Sequence, residues 1–263
     1  MNFPYLQKFK QQVLQQLSNQ LFFLLSKKVL PFLLVVFIHL LPFSTNAQGT
    51  DSVELVHSNA YDRRADQEQT ILTYVHSKTW SFGDNFYFLD MADLGNFENA
   101  GNTYFEWGPR LSPGKIFGDG SLNAGLIRDI YLIGELDYVK NKAVEKAVFL
   151  GGLSVDLALP GFRFFKVHLF NRNDPTLTGH TQQLTLAWNL PFIIWNNNFS
   201  FQGFFDYTGR EAVSASNYQG QPQLLWEMND RVFLGLEYLY WHNKTGRAGF
   251  NESAMQGVFK VIF

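Results

Sequence analysis

Phe86, Phe88 and Asp90 stand two residues apart, so on an extended strand their three side chains share one face. Tyr104, Glu106 and Arg110 repeat that mixture of ring and ionisable group a short way on. Tyr131, Glu135 and Asp137 do so again, then Phe164, Lys166 and His168, with Asp156 between the two sets. Phe204 with Asp206, Glu227, Phe233 with Glu237, and Lys260 continue the series. Aromatic faces hold flat rings by stacking, worth about 1–3 kcal/mol per base in single-strand binders. Carboxylates and cations hydrogen-bond hydroxyls. The combination suits non-covalent recognition of a small solute with a flat ring and a polyol part. The plainer alternative is that the ions form salt-bridge ladders in a wet interior and the rings pack like a plug.

Bond-making chemistry is less well served. The chain has no cysteine, which excludes disulfides, thiolate zinc sites and iron–sulfur clusters. His57, His76, His168, His180 and His242 are scattered, without metal-ligand spacing such as H-x-x-x-H. His242, in Tyr240-Trp241-His242-Asn243-Lys244, is the one candidate general base. It is similar to the His-x-Ser of outer-membrane lipid A deacylases, but Lys244 stands where the nucleophilic serine is needed. No enzyme site and no cofactor are expected. A formal net charge of −2 without a basic block offers no footprint for nucleic acid.

The elements that must position these residues alternate. Phe149, Gly151, Leu153, Val155 and Leu157 lie on one face, opposite Leu150, Gly152, Ser154, Asp156 and Ala158. Val232, Leu234, Leu236, Tyr238 and Tyr240 lie opposite Phe233, Gly235 and Glu237. Period two over about ten residues, with aromatics near the ends, is the pattern of an outer-membrane barrel strand. A soluble sandwich also alternates, but its polar positions would carry more Lys, Glu and Thr. Twelve such segments are expected: 53–61, 70–80, 86–94, 103–111, 127–138, 148–158, 162–170, 181–189, 199–208, 221–227, 232–241 and 255–263. The fold class is therefore all-β, a transmembrane antiparallel β-barrel. An even strand count suits a single-chain bacterial barrel, as do connections alternately long (95–102, 171–180, 209–220, 242–254) and tight. The long connection 112–126 breaks the alternation. Trp80, Trp107, Trp188, Trp195 and Tyr240 are expected at the membrane interfaces.

Both ends point to the same compartment. Residues 1–47 contain no acid, a Lys27-Lys28 pair, an apolar run from Val29 to Phe43 and a small-residue stretch ending at Ala47. They are expected to be a cleaved signal peptide, leaving one domain, 48–263. Met255, Phe259, Val261 and Phe263 share a face, and this resembles the C-terminal signature read by the outer-membrane assembly machinery.

Four further segments carry a resemblance to a family. They are Gly83-Asp84-Asn85-Phe86-Tyr87-Phe88-Leu89-Asp90, Glu106-Trp107-Gly108-Pro109-Arg110-Leu111-Ser112 with Lys115, Gly151 to Phe170 across Leu159-Pro160, and Tyr240-Trp241-His242. In order and type these resemble the nucleoside-specific channel-forming outer-membrane proteins of the Tsx/OmpK family. The resemblance implies a monomeric twelve-stranded barrel with a narrow, nucleoside-conducting lumen. It singles out Phe86, Phe88, Asp90, Glu106 and Arg110, while alternation alone adds Tyr104, Glu135, Asp156, Lys166, Asp206 and Glu237 as further lumenal residues. The expected function is passive uptake of nucleosides or similar small polar solutes across the bacterial outer membrane. A narrow porin of other specificity and a lipid A deacylase-like barrel enzyme are the alternatives.

Overall fold

The computed structural model describes residues 49–62, 68–93, 102–118, 120–141 and 143–263. The expected signal peptide lies outside them. Twelve strands follow one another: β1 (Gly49–Ser58), β2 (Gln69–Trp80), β3 (Gly83–Ala92), β4 (Thr103–Trp107 and Arg110–Leu111), β5 (Ile127–Lys140) and β6 (Glu145–Leu157). The rest are β7 (Phe164–Asn173), β8 (Thr181–Ile194), β9 (Asn197–Thr208), β10 (Asn217–Gly220 and Gln223–Glu227), β11 (Val232–His242) and β12 (Glu252–Ile262). Each pairs antiparallel with the next, and β12 pairs back onto β1 from Ser52↔Ile262 to His57↔Gly257. The sheet closes on itself and leaves no edge strand.

All twelve expected strands are present, with shifted ends. The first begins at Gly49 and stops at Ser58, the seventh runs on to Asn173, and the eighth continues through Pro191 to Ile194. Two strands are interrupted at prolines, which cannot donate to a ladder. In β4 the break is Gly108-Pro109, where Gly108 N–H still reaches the Phe86 carbonyl at 2.8 Å. In β10 it is Gln221-Pro222, which presses so close to Gly203 of β9 that a Cβ there would lie 2.4 Å from the Gln221 carbonyl oxygen.

The exceptional connection 112–126 is not a loose loop. Ser112 caps a short helix, α1 (Pro113–Phe117), and Gly118 ends it in the left-handed conformation, φ 88°. Lys115 on that helix reaches Asp129 and Tyr131 of β5. The connection thus folds onto the barrel end, which explains its length. Between β5 and β6 the turn is tight instead, with Asn141 N–H donating to the Val144 carbonyl at 2.8 Å.

Candidate functional site

Register fixes which side chains point inward. Thr73↔Asp90, Val75↔Phe88 and Thr79↔Asp84 align β2 with β3. Phe88↔Glu106, Asp90↔Tyr104 and Asp84↔Arg110 align β3 with β4, and Glu106↔Asp137 carries the same face onto β5. Arg110, Asp84, Asp129, Ser154, His168, Gln223, Glu237 and Gln256 on this face are buried. The other face carries Leu132, Phe149, Leu153, Leu169, Leu224, Leu236 and Met255, each about half exposed. An apolar exterior around buried ions is the inverse of a water-soluble protein. It is stable only when the exterior meets hydrocarbon, where each inward-facing Lys or Arg turned outward would cost about 2–4 kcal/mol at midplane. The chain is a closed antiparallel β-barrel of the bacterial outer membrane.

Its lumen has distinct regions. The lower one, near α1, centres on Arg110. Nε donates to Asp84 Oδ1 at 2.8 Å and Nη2 donates to the other Asp84 oxygen. Nη1 donates to Asp156 and to Ser154 Oγ (2.8 Å), and Nη2 reaches Asp156 Oδ2 at 3.3 Å. Five contacts occupy the five donors of a guanidinium. Its Cζ lies 4.1 Å from the Tyr131 ring centroid. Ser154, having accepted from Arg110, uses its own proton toward His168 Nδ1 at 2.8 Å. Lys166 sits across from Asp156 in register, its Nζ 5.4 Å from the Phe164 ring. So Arg110, Asp156 and Lys166, each expected on the lumenal face, come together here, but Arg110 spends every donor on the protein and has none left for a solute. Asp84 was missing from the expected site. It stands two residues before Phe86 on the same face, so extending the alternation by one step finds it.

Higher in the lumen the wall changes character. Phe86 and Phe88 ring centroids lie 6.1 Å apart, and Phe88 lies 5.5 Å from Tyr104. These rings are half-buried. Beside them Asp90 accepts from Thr73 Oγ1 at 2.6 Å, and Glu106 accepts from Tyr104 at 3.3 Å. Glu106, Glu135 and Asp137 bring one carboxylate oxygen each within 4.8 Å of one another. Asp206, on β9, accepts from Thr185 and from Gln219 (3.2 Å).

Glu237 belongs to a third group. Gln223 donates to Glu237 at 2.8 Å and, across the lumen, to Glu54 of β1 at 2.9 Å. Gln256 and Lys260 complete the ladder on Glu237 and Glu54. Beneath it Val56, Leu225, Phe233 and Val258 pack together, so this wall fills part of the lumen. At the outer rim Lys146 pairs with Asp174 and Arg172 with Glu211. Burial alone would raise the pKa of Asp174, in the loop after β7, but Lys146 and Thr176 hold it below the ordinary carboxylate value. His242 faces outward, stacked on Tyr218 at 4.9 Å between centroids. Lys244 beside it is engaged with Glu252.

No family model matches the chain, and no curated protein does. Solved structures similar in fold include a KdgM porin (7% identity, TM-score 0.49, 81% of this chain and 99% of that one). Another KdgM structure holds disordered oligogalacturonate (8%, 0.48, 81% and 99%). The NanC porin is also similar (8%, 0.45, 81% and 98%). The architecture assigned here rests on the strand ladder itself.

Proposed function

We propose that this chain is a channel for passive, energy-independent passage of nucleosides or similar small polar solutes. The observation that carries the reading is the wall made by Phe86, Phe88 and Tyr104 beside Asp90 and Glu106. The rings offer a stacking surface for a base, and the carboxylates offer acceptors for ribose hydroxyls. Weak, repeated sites of this kind let a solute enter and also leave. Two of the segments that resemble the Tsx/OmpK family, on β3 and β4, supply this wall. A polyanionic solute fits poorly, since it would pass five carboxylates: Asp90, Glu106, Glu135, Asp137 and Asp206. In the same reading residues 1–47 direct export, the assembly machinery inserts the barrel, and it works as a monomer.

Purified protein in planar bilayers tests the reading. A small conductance blocked by added nucleosides is expected. A conductance indifferent to nucleosides would favour a porin of other specificity. Lipid hydrolysis lost on His242→Ala would favour the enzyme.

A further inference from the structure

Glu106 and Asp137 are directly paired across β4 and β5, and Glu135 lies two residues from Asp137 on the same face. Like charges placed opposite each other destabilise a sheet, so the trio calls for a counter-charge. The protein's neighbouring cations are committed elsewhere: Arg110 to Asp84 and Asp156, Lys146 to Asp174, Arg172 to Glu211. Among the described residues Glu106 receives only the Tyr104 hydroxyl, and Glu135 and Asp137 have no hydrogen bond or ion pair. A second observation is independent of the clustering. Asp137 Oδ1 is fully buried and has no hydrogen-bond partner. A buried polar atom left in this state is costly unless something binds it.

We propose that Glu106, Glu135 and Asp137 form a lumenal Ca²⁺ site. Three hard oxygen donors suit Ca²⁺, which binds oxygens at about 2.3–2.6 Å and so touches ligands up to about 5 Å apart. The 4.8 Å spread of the trio lies inside that limit. Water completes the six to eight ligands that Ca²⁺ takes. The bound ion offsets two of the trio's three negative charges, and Asp90 and Asp206 keep the wall acidic beside the aromatic rings. The site does not depend on what the barrel transports.

The test uses the full chain, refolded in detergent free of lipopolysaccharide and stripped of metal. Titration calorimetry with CaCl₂ at neutral pH should show one saturable site, and the melting temperature should rise with Ca²⁺. Tb³⁺ bound beside Tyr104 should luminesce under tyrosine excitation and be displaced by Ca²⁺. Glu135→Gln with Asp137→Asn should weaken binding at least tenfold, whereas Asp230→Asn, in a turn outside the lumen, should not. Where the double variant does not fold, Asp137→Asn alone and the Tb³⁺ displacement in the parent decide. Absence of saturable heat and of displaceable emission in the parent overturns the proposal. So does binding that survives both substitutions, or a response to tetramethylammonium in place of Ca²⁺. A channel blocked by nucleosides that binds no Ca²⁺ sinks this inference alone, and Ca²⁺ binding without nucleoside block sinks the transport reading alone.

Discussion

The two halves of one lumenal wall use the same residue types to opposite ends. Around Arg110 the charges balance: Arg110, Lys115 and Lys166 stand with Asp84, Asp129 and Asp156. Arg110 and Ser154 are buried there, and every guanidinium donor has a protein acceptor. One or two strand steps higher, Asp90, Glu106, Glu135 and Asp137 gather beside half-buried rings, and no cation bridges them among the described residues. A charge in a barrel wall points inward in either case, because lipid excludes it. What separates scaffold from site is whether its partners are used up. The lower knot ties β3, β4 and β6 together on the lumenal face. The upper wall keeps faces and lone pairs available.

The largest effect that could break this contrast lies in the knot. Arg110→Met leaves Asp84 and Asp156 buried without their cation. Removing one partner of a buried ion pair costs about 3–5 kcal/mol, and the loss should appear as a lower melting temperature in detergent and weakened heat-modifiable migration. A variant as stable as the parent would show that the knot does not hold the wall, and the division would fall.

Next in size is the upper wall. Phe88→Ala should leave the barrel folded and weaken nucleoside block by the ~1–3 kcal/mol of one lost stack, about 5- to 150-fold. Leu89, its neighbour in sequence, points to lipid, and Leu89→Ala should leave block unchanged. Parent-like block by a folded Phe88→Ala barrel would remove the stacking surface from the proposed path while leaving the channel reading open.

Which side chains point inward was legible in the sequence, because alternation and the lipid penalty both act residue by residue. Phe86, Phe88, Asp90, Glu106, Glu135 and Asp206 were assignable for that reason. Which of them are already engaged was not legible. The partners of Arg110 come from β3 and β6, 26 and 46 residues away along the chain, and Glu237 reaches Glu54 through Gln223, 169 residues from it. Such pairings depend on closure and shear, which no local pattern records. The helical connection after β4 was hidden for a similar reason. Ser112-Pro113 is a helix start on its own terms, yet only the contact of Lys115 with Asp129 shows why the connection is long.

The smallest predicted effect separates the two regions most directly, because it removes one hydroxyl from each. Ser154 is fully buried and serves both Arg110 and His168. Ser154→Ala leaves an Arg110 N–H and the His168 Nδ1 without their partner in a dry place, which costs about 1–3 kcal/mol. Thr73 is half-buried and serves Asp90 alone, through one bond of 2.6 Å. Thr73→Val keeps the volume, and water in the lumen can take the vacated position on Asp90, so the loss should stay near the ~0.5–1.5 kcal/mol of an ordinary hydrogen bond. The pair is read by melting both variants beside the parent in the same detergent. Ser154→Ala is expected to fall further. Equal losses would mean that the upper wall is as dry as the knot, and a wall without water offers no room for a solute to displace it.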